Sequence, residues 1–81
     1  QDVKMLVENH LAGVMIDRFG KDIMMVPVDK EHFSVKVQVH VSRQFLGWVI
    51  SLGEGIKIIG PEEVAGQMKQ EIKRLVEQYG E

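Results

Sequence analysis

Phe33, Val35, Val37, Val39 and Val41 alternate with Ser34, Lys36, Gln38 and His40. Period two over that run predicts a strand with one dry face and one wet face. Val3 to Val7 is short, apolar and β-favouring and predicts an opening strand. Ile23 to Val28 predicts another, placed at a sheet edge because Pro27 cannot donate to a ladder. Ile56 to Ile59 predicts a fourth. The remaining apolar positions follow helical spacing. Leu11, Met15 and Phe19 form one stripe, with Asn9 as the expected N-cap and Gly20 as the expected left-handed stop. Arg43 to Leu52 predicts a second helix, started by Ser42 and ended by Gly53. Val64, Met68, Ile72, Leu75 and Tyr79 mark a third, with Pro61 expected at its first position and Glu62 and Glu63 at the positive end of its dipole. Its other side, with Glu71, Lys73 and Glu77, reads as a solvated mixed-charge face.

The resulting order is strand, helix, strand, strand, helix, strand, helix. The fold class expected is α+β: a ferredoxin-like βαββαβ sandwich with an additional C-terminal helix. In its sheet order, 4-1-3-2, the Pro27 strand falls at an edge and the alternating third strand in the centre, so local and global signals agree. Val35, Val37, Val39, Leu11, Met15, Ile16, Val49 and Ile58 are the expected core. Eighty-one residues without an internal linker or repeat make one domain, residues 1–81. The chain opens at Gln1 with strand-like sequence almost at once, which reads as a domain excised from a larger protein.

Composition narrows the function. Hydrophobic residues at 44% and charged residues at 27% describe an ordinary globular chain. With no cysteine there is no disulfide framework and no thiolate metal site. A net charge of -2 argues against a free-standing nucleic-acid binder. No apolar run approaches a membrane span, and no signal-peptide pattern opens the chain. No nucleophile elbow, phosphate loop or zinc-binding helix is present. Gly53-Glu54-Gly55 joins helix to strand, the reverse of a phosphate loop, and reads as a turn. His32 and His40 share a strand face but stand about 27 Å apart at about 3.4 Å per residue, too far for one ion. No catalytic residue, cofactor or metal is therefore expected.

Two surfaces remain as candidates. Lys4, Lys36, His40 and Lys57 share the outward parity of their strands and are expected to converge on the open sheet face, around Leu6 and Ile59. That face is either a solvated basic surface or a site for an anion or partner. The absence of an outward aromatic there excludes an RNA-recognition sheet. The second helix carries Phe45, Leu46, Trp48, Val49, Ile50 and Leu52 over an arc of roughly 200°, about twice what one sheet face buries. Part of it needs the last helix, another domain or a second subunit. Trp48, Leu52, Met68, Leu75 and Tyr79 are the candidate interface, with burial of Trp48 under the last helix as the simpler alternative.

The run FLGWVISLGEGIKIIGPEEV, continued by a helix ending at Tyr79, resembles the C-terminal extension domain of WYL-domain transcriptional regulators. VKMLVENHLAGVMIDRFGKD resembles the opening strand and helix of that domain more generically. The resemblance implies a C-terminal regulatory or oligomerisation domain of a cytoplasmic bacterial regulator. It implies a homodimer or a contact with the WYL domain of the same regulator as partner, and a nucleotide-like effector of the parent protein. It implies neither catalysis nor direct specific DNA binding by this domain. A stand-alone ferredoxin-like domain that binds a small molecule is the alternative. An acylphosphatase-type enzyme shares only the topology.

Overall fold

The computed structural model describes residues 1–80. Strand β1 (Asp2–Glu8) leads through a 3₁₀ turn (Asn9–Leu11) into helix α1 (Ala12–Phe19). Strands β2 (Met25–Pro27) and β3 (His32–Gln38) follow, then α2 (Arg43–Ser51), a second 3₁₀ turn (Gly53–Gly55), β4 (Ile56–Gly60) and α3 (Glu62–Tyr79). The four strands form one sheet in the order β2-β3-β1-β4, every neighbouring pair antiparallel. Read from the other edge, this is the strand order expected from the sequence.

Strand parity decides the core. Val3, Met5 and Val7 of β1 have no solvent exposure, and Phe33, Val35 and Val37 of β3 and Ile56 and Ile58 of β4 are buried beside them. Met15 of α1, Phe45, Leu46 and Val49 of α2 and Val64 of α3 complete the cluster. β1 and β3 run from Asp2 opposite Gln38 to Glu8 opposite His32, which puts every odd position of both strands on the same side. Of the expected core, Met15, Val35, Val37, Val49 and Ile58 are buried. Leu11, Ile16 and Val39 are only half-buried.

Several local expectations change. β3 stops at Gln38, opposite Asp2 of β1, instead of reaching Val41. One further pair of hydrogen bonds, between the backbones of Gln1 and Val39, closes the ladder, and His40 lies beyond it. β2 is shorter than the apolar run from Ile23 to Val28. Asn9 does not cap α1. Its side-chain amide donates to the Lys30 carbonyl and its backbone N–H to the Glu31 carbonyl, tying the end of β1 to the β2–β3 turn. Pro61 precedes α3 instead of occupying its first turn, and its carbonyl accepts from Val64 and Ala65. Three helix boundaries fall at the expected residues. The Ser42 hydroxyl accepts from the Phe45 N–H at the start of α2. Gly20 and Gly53 follow α1 and α2 with φ of 94° and 71°, which favour glycine.

The register gives a direct check. Val37 is buried in β3, so Val37→Asp places a charge in the apolar layer without a partner and is expected to cost at least about 3 kcal/mol. Lys36→Asp, on the exposed side one residue earlier, is expected to cost far less. Urea unfolding of both variants measures the difference.

Candidate functional site

The candidate interface residues separate into two groups. Trp48 packs against α1. Its ring meets Phe19 edge-on at 5.4 Å and leans on Phe45 at 6.1 Å. The Arg18 guanidinium sits 4.9 Å from its centroid. Each aromatic pair adds about 0.5–1.5 kcal/mol beyond area burial, so Trp48 mainly ties α1 to α2. Leu52, the C-cap residue just after α2, is half-buried against the core. Met68 and Leu75 are half-buried on α3, and Tyr79 is 79% exposed at its end.

The attachment of α3 depends on an acid that the charge pattern placed in solvent. Glu71 is 8% exposed, and its carboxylate bridges two arginines. Arg43 Nε, on α2, donates to Glu71 Oε2 at 3.0 Å, and Arg74 Nε, three residues along α3, donates to Glu71 Oε1. The Arg74 hydrogen bond holds the Glu71 carboxyl below its ordinary value, against burial, which acts to raise it, and the positive charges of Arg74 and Arg43 add to the lowering. The sequence shows Glu71 beside Lys73 and Arg74. Its burial depends on Arg43, which helical spacing within α3 cannot reveal.

Beyond Glu71, one face of α3 is bare. Ile72, Val76 and Tyr79 are spaced four and three residues apart, so they share one face of the helix, and all three are exposed, Val76 by 63%. Ile50 of α2 and Ile59 of β4 are also exposed. Val76 is the residue that the sequence reading missed, although its spacing from Ile72 and Tyr79 carried the signal. Between α2, β4 and α3 runs a groove of about 720 Å³, walled by Ile50, Ile59, Met68, Ile72 and Leu75.

The open sheet face gathers three of its four expected residues. Lys4 lies directly opposite Lys36 across the β1–β3 pair, and Lys57 lies opposite Leu6 on the β1–β4 pair, on the same side. His40 is not brought there by the ladder, since β3 ends before it. The face is also less basic than its lysines imply. Asp2 Oδ2 is 3.9 Å from Lys36 Nζ. A hollow of about 730 Å³ on this side is lined by Lys4 and Lys36, by Met24 and Val26, and by Asp2 and Glu63.

The other histidines have local acidic partners. His10 Nε2 lies 2.7 Å from Glu8 Oε1. His32 Nδ1 lies 2.9 Å from Asp29 Oδ1, a hydrogen bond that raises the His32 pKa and lowers that of Asp29. Among the described residues, no cluster of three or more His, Asp or Glu is placed to hold a metal ion. Nor is any helix among them long and apolar enough to cross a membrane.

Comparison with known families decides the identity of this arrangement. The model of the WCX domain, the C-terminal extension of WYL regulators, matches residues 1–76. The chain belongs to the WCX family. No curated protein shows a significant match. The WCX domain belongs to WYL-type regulators, which are linked to transcription regulation and are not a catalytic family.

The Glu71 bridge gives a pH prediction. A carboxylate with a depressed folded pKa contributes stability above its unfolded pKa and loses it as pH falls through the folded value. Glu71→Gln is expected to lower the thermal midpoint at neutral pH and to flatten its decline below the ordinary carboxylate range. Thermal melts of both proteins from neutral to acid pH read the two effects. Parallel pH curves would assign the acid sensitivity to other groups.

Proposed function

We propose that this WCX domain is a non-catalytic interaction module of a WYL-type regulator. It contributes to dimerisation or relays effector sensing to a DNA-binding domain elsewhere in the regulator. Its partners are a second copy and the WYL domain of the same protein. The exposed apolar face at the end of α3, Ile72, Val76 and Tyr79, carries this reading. Large contiguous apolar surface is rarely left in water on a monomer and marks a contact surface. Met68 and Leu75 continue that surface toward the body of the domain. Trp48 on α2 and Leu52 just after it support it by fixing the helix layer. A ferredoxin-like arrangement is supported by the strand order and by the shared core of α1 and α2, and it leaves α3 as the added element available for contact. The net charge of -2 favours protein contact over direct DNA reading.

Sedimentation over a range of concentrations tests this role. The domain is expected to show concentration-dependent mass, and Val76→Glu with Tyr79→Glu is expected to abolish it without lowering the thermal midpoint. A strictly monomeric domain that also fails to bind an isolated WYL domain would overturn the reading. So would tight sequence-specific binding of duplex DNA by the domain at physiological salt.

One observation favours a second role for the opposite face. Like charges directly across a strand pair are unfavourable, and Lys4 faces Lys36. A phosphate-bearing effector, or an acidic surface of the WYL domain, would relieve that repulsion. Lys36→Glu is then expected to weaken the effector response of the full regulator while leaving the fold intact. The effect weakens with salt, since exposed charges are screened beyond roughly 8 Å at physiological ionic strength. An unchanged response would leave Lys36 as ordinary solvated surface.

A further inference from the structure

The groove beside β4 is lined by side chains of both strand parities. Ile56 and Ile58 turn toward the core, and Lys57 and Ile59 turn to the opposite face, yet all four border it. Successive side chains of a strand point to opposite faces of the sheet, so a groove touched by both sets runs along the strand's edge. β4 is bonded to β1 on its other side and ends the sheet. Alternate backbone N–H and C=O groups on its outer side therefore have no sheet partner. The opposite edge is protected differently: β2 is three residues long and contains Pro27. β4, Ile56–Gly60, contains no proline and is longer, and its one irregularity is the register shift that skips Ile59 in the pairing with β1. Its walls, Ile50 of α2 and Ile72 of α3, are exposed apolar side chains.

We propose that the outer edge of β4 accepts an extended peptide segment of a partner protein as an added strand, and that this segment alternates acidic and apolar side chains. An added strand satisfies the open backbone groups, and its alternate side chains reach the two sides of the sheet. Charge identifies the chemistry. Among the described residues, the charged ones bordering the groove are Lys57 and Lys69, and none is acidic. Acidic side chains on the incoming strand meet the two ammonium groups, and apolar ones fill the space toward Ile50 and Ile72. A second copy fits poorly, because edge-to-edge pairing of two β4 strands brings the lysines of both grooves together without an anion. This site shares Met68, Ile72 and Leu75 with the surface proposed for α3, but Val76 and Tyr79 do not border it, so Val76→Glu with Tyr79→Glu tests that association without touching the groove.

The test uses an isotopically labelled domain and a short, N-acetylated and C-amidated peptide alternating glutamate and valine. Amide shifts are expected to concentrate on Ile56–Gly60, with slowed hydrogen exchange at alternate β4 amides. Lys57→Glu with Lys69→Glu is expected to weaken binding about tenfold or more while keeping the thermal midpoint. The same peptide N-methylated at every second amide keeps its side chains and loses its donors, and is expected not to bind. The proposal fails if millimolar peptide leaves the β4 amides unmoved. It fails if the N-methylated peptide, or one with lysine in place of glutamate, binds equally well. It also fails if the β4 amides shift with protein concentration alone, which would make this edge a contact between copies.

Discussion

Val3, Met5 and Val7 lie on β1, between β3 and β4, and none of them reaches solvent. Burying side chains of this kind is worth about 1.5–3 kcal/mol each, so a one-residue slip of β1 would expose the most valuable apolar surface and bury Lys4. The register against β3 and β4 therefore cannot drift. It sets which side of the sheet is dry, and hence which faces of α1 and α2 have somewhere to pack. It also places Lys4 opposite Lys36 on the wet side.

The third helix is held by less. Val64 enters the core, Ala65 and Met68 pack against its edge, and Glu71 reaches Arg43 of α2. A carboxylate so shielded is stable only while both arginines answer it, because a buried charge that loses its partner is costly. After Glu71 the helix has no comparable anchor, and Ile72, Val76 and Tyr79 are left in water. A helix pinned near its start and bare at its end offers an apolar face without disturbing the sheet.

That division suits a member of a regulatory family. The domain keeps its core on one side of the sheet and presents three different surfaces elsewhere: the lysine-bearing open face, the edge of β4 and the end of α3. They differ in chemistry. The first is mixed in charge and hollow, the second offers backbone groups beside lysines, and the third is apolar.

The sequence by itself determined the elements whose signals are local. The alternation through Val35 and Val37 marked β3, Ser42 and Gly53 bounded α2, and Pro27 placed β2 at an edge. Each depends on backbone geometry or on a side chain's own period, which neighbours in the chain already define. The resemblance of Phe45 to Tyr79 to a known extension domain was legible for the same reason: its turns and caps stand at fixed spacing. Only the tertiary structure decided where partners come from across the chain. Asn9 was read as a cap, but the β2–β3 turn captured its amide. Trp48 was expected near α3 and found Phe19 and Arg18 on α1. His40 was expected on the sheet and lies past the end of β3. Glu71 looked like solvated charge until α2 brought Arg43 to it. Periodicity along one element reports which face is apolar. Which residue answers a given side chain is decided by packing between elements far apart in sequence, and on that packing the shape of the candidate surfaces depends.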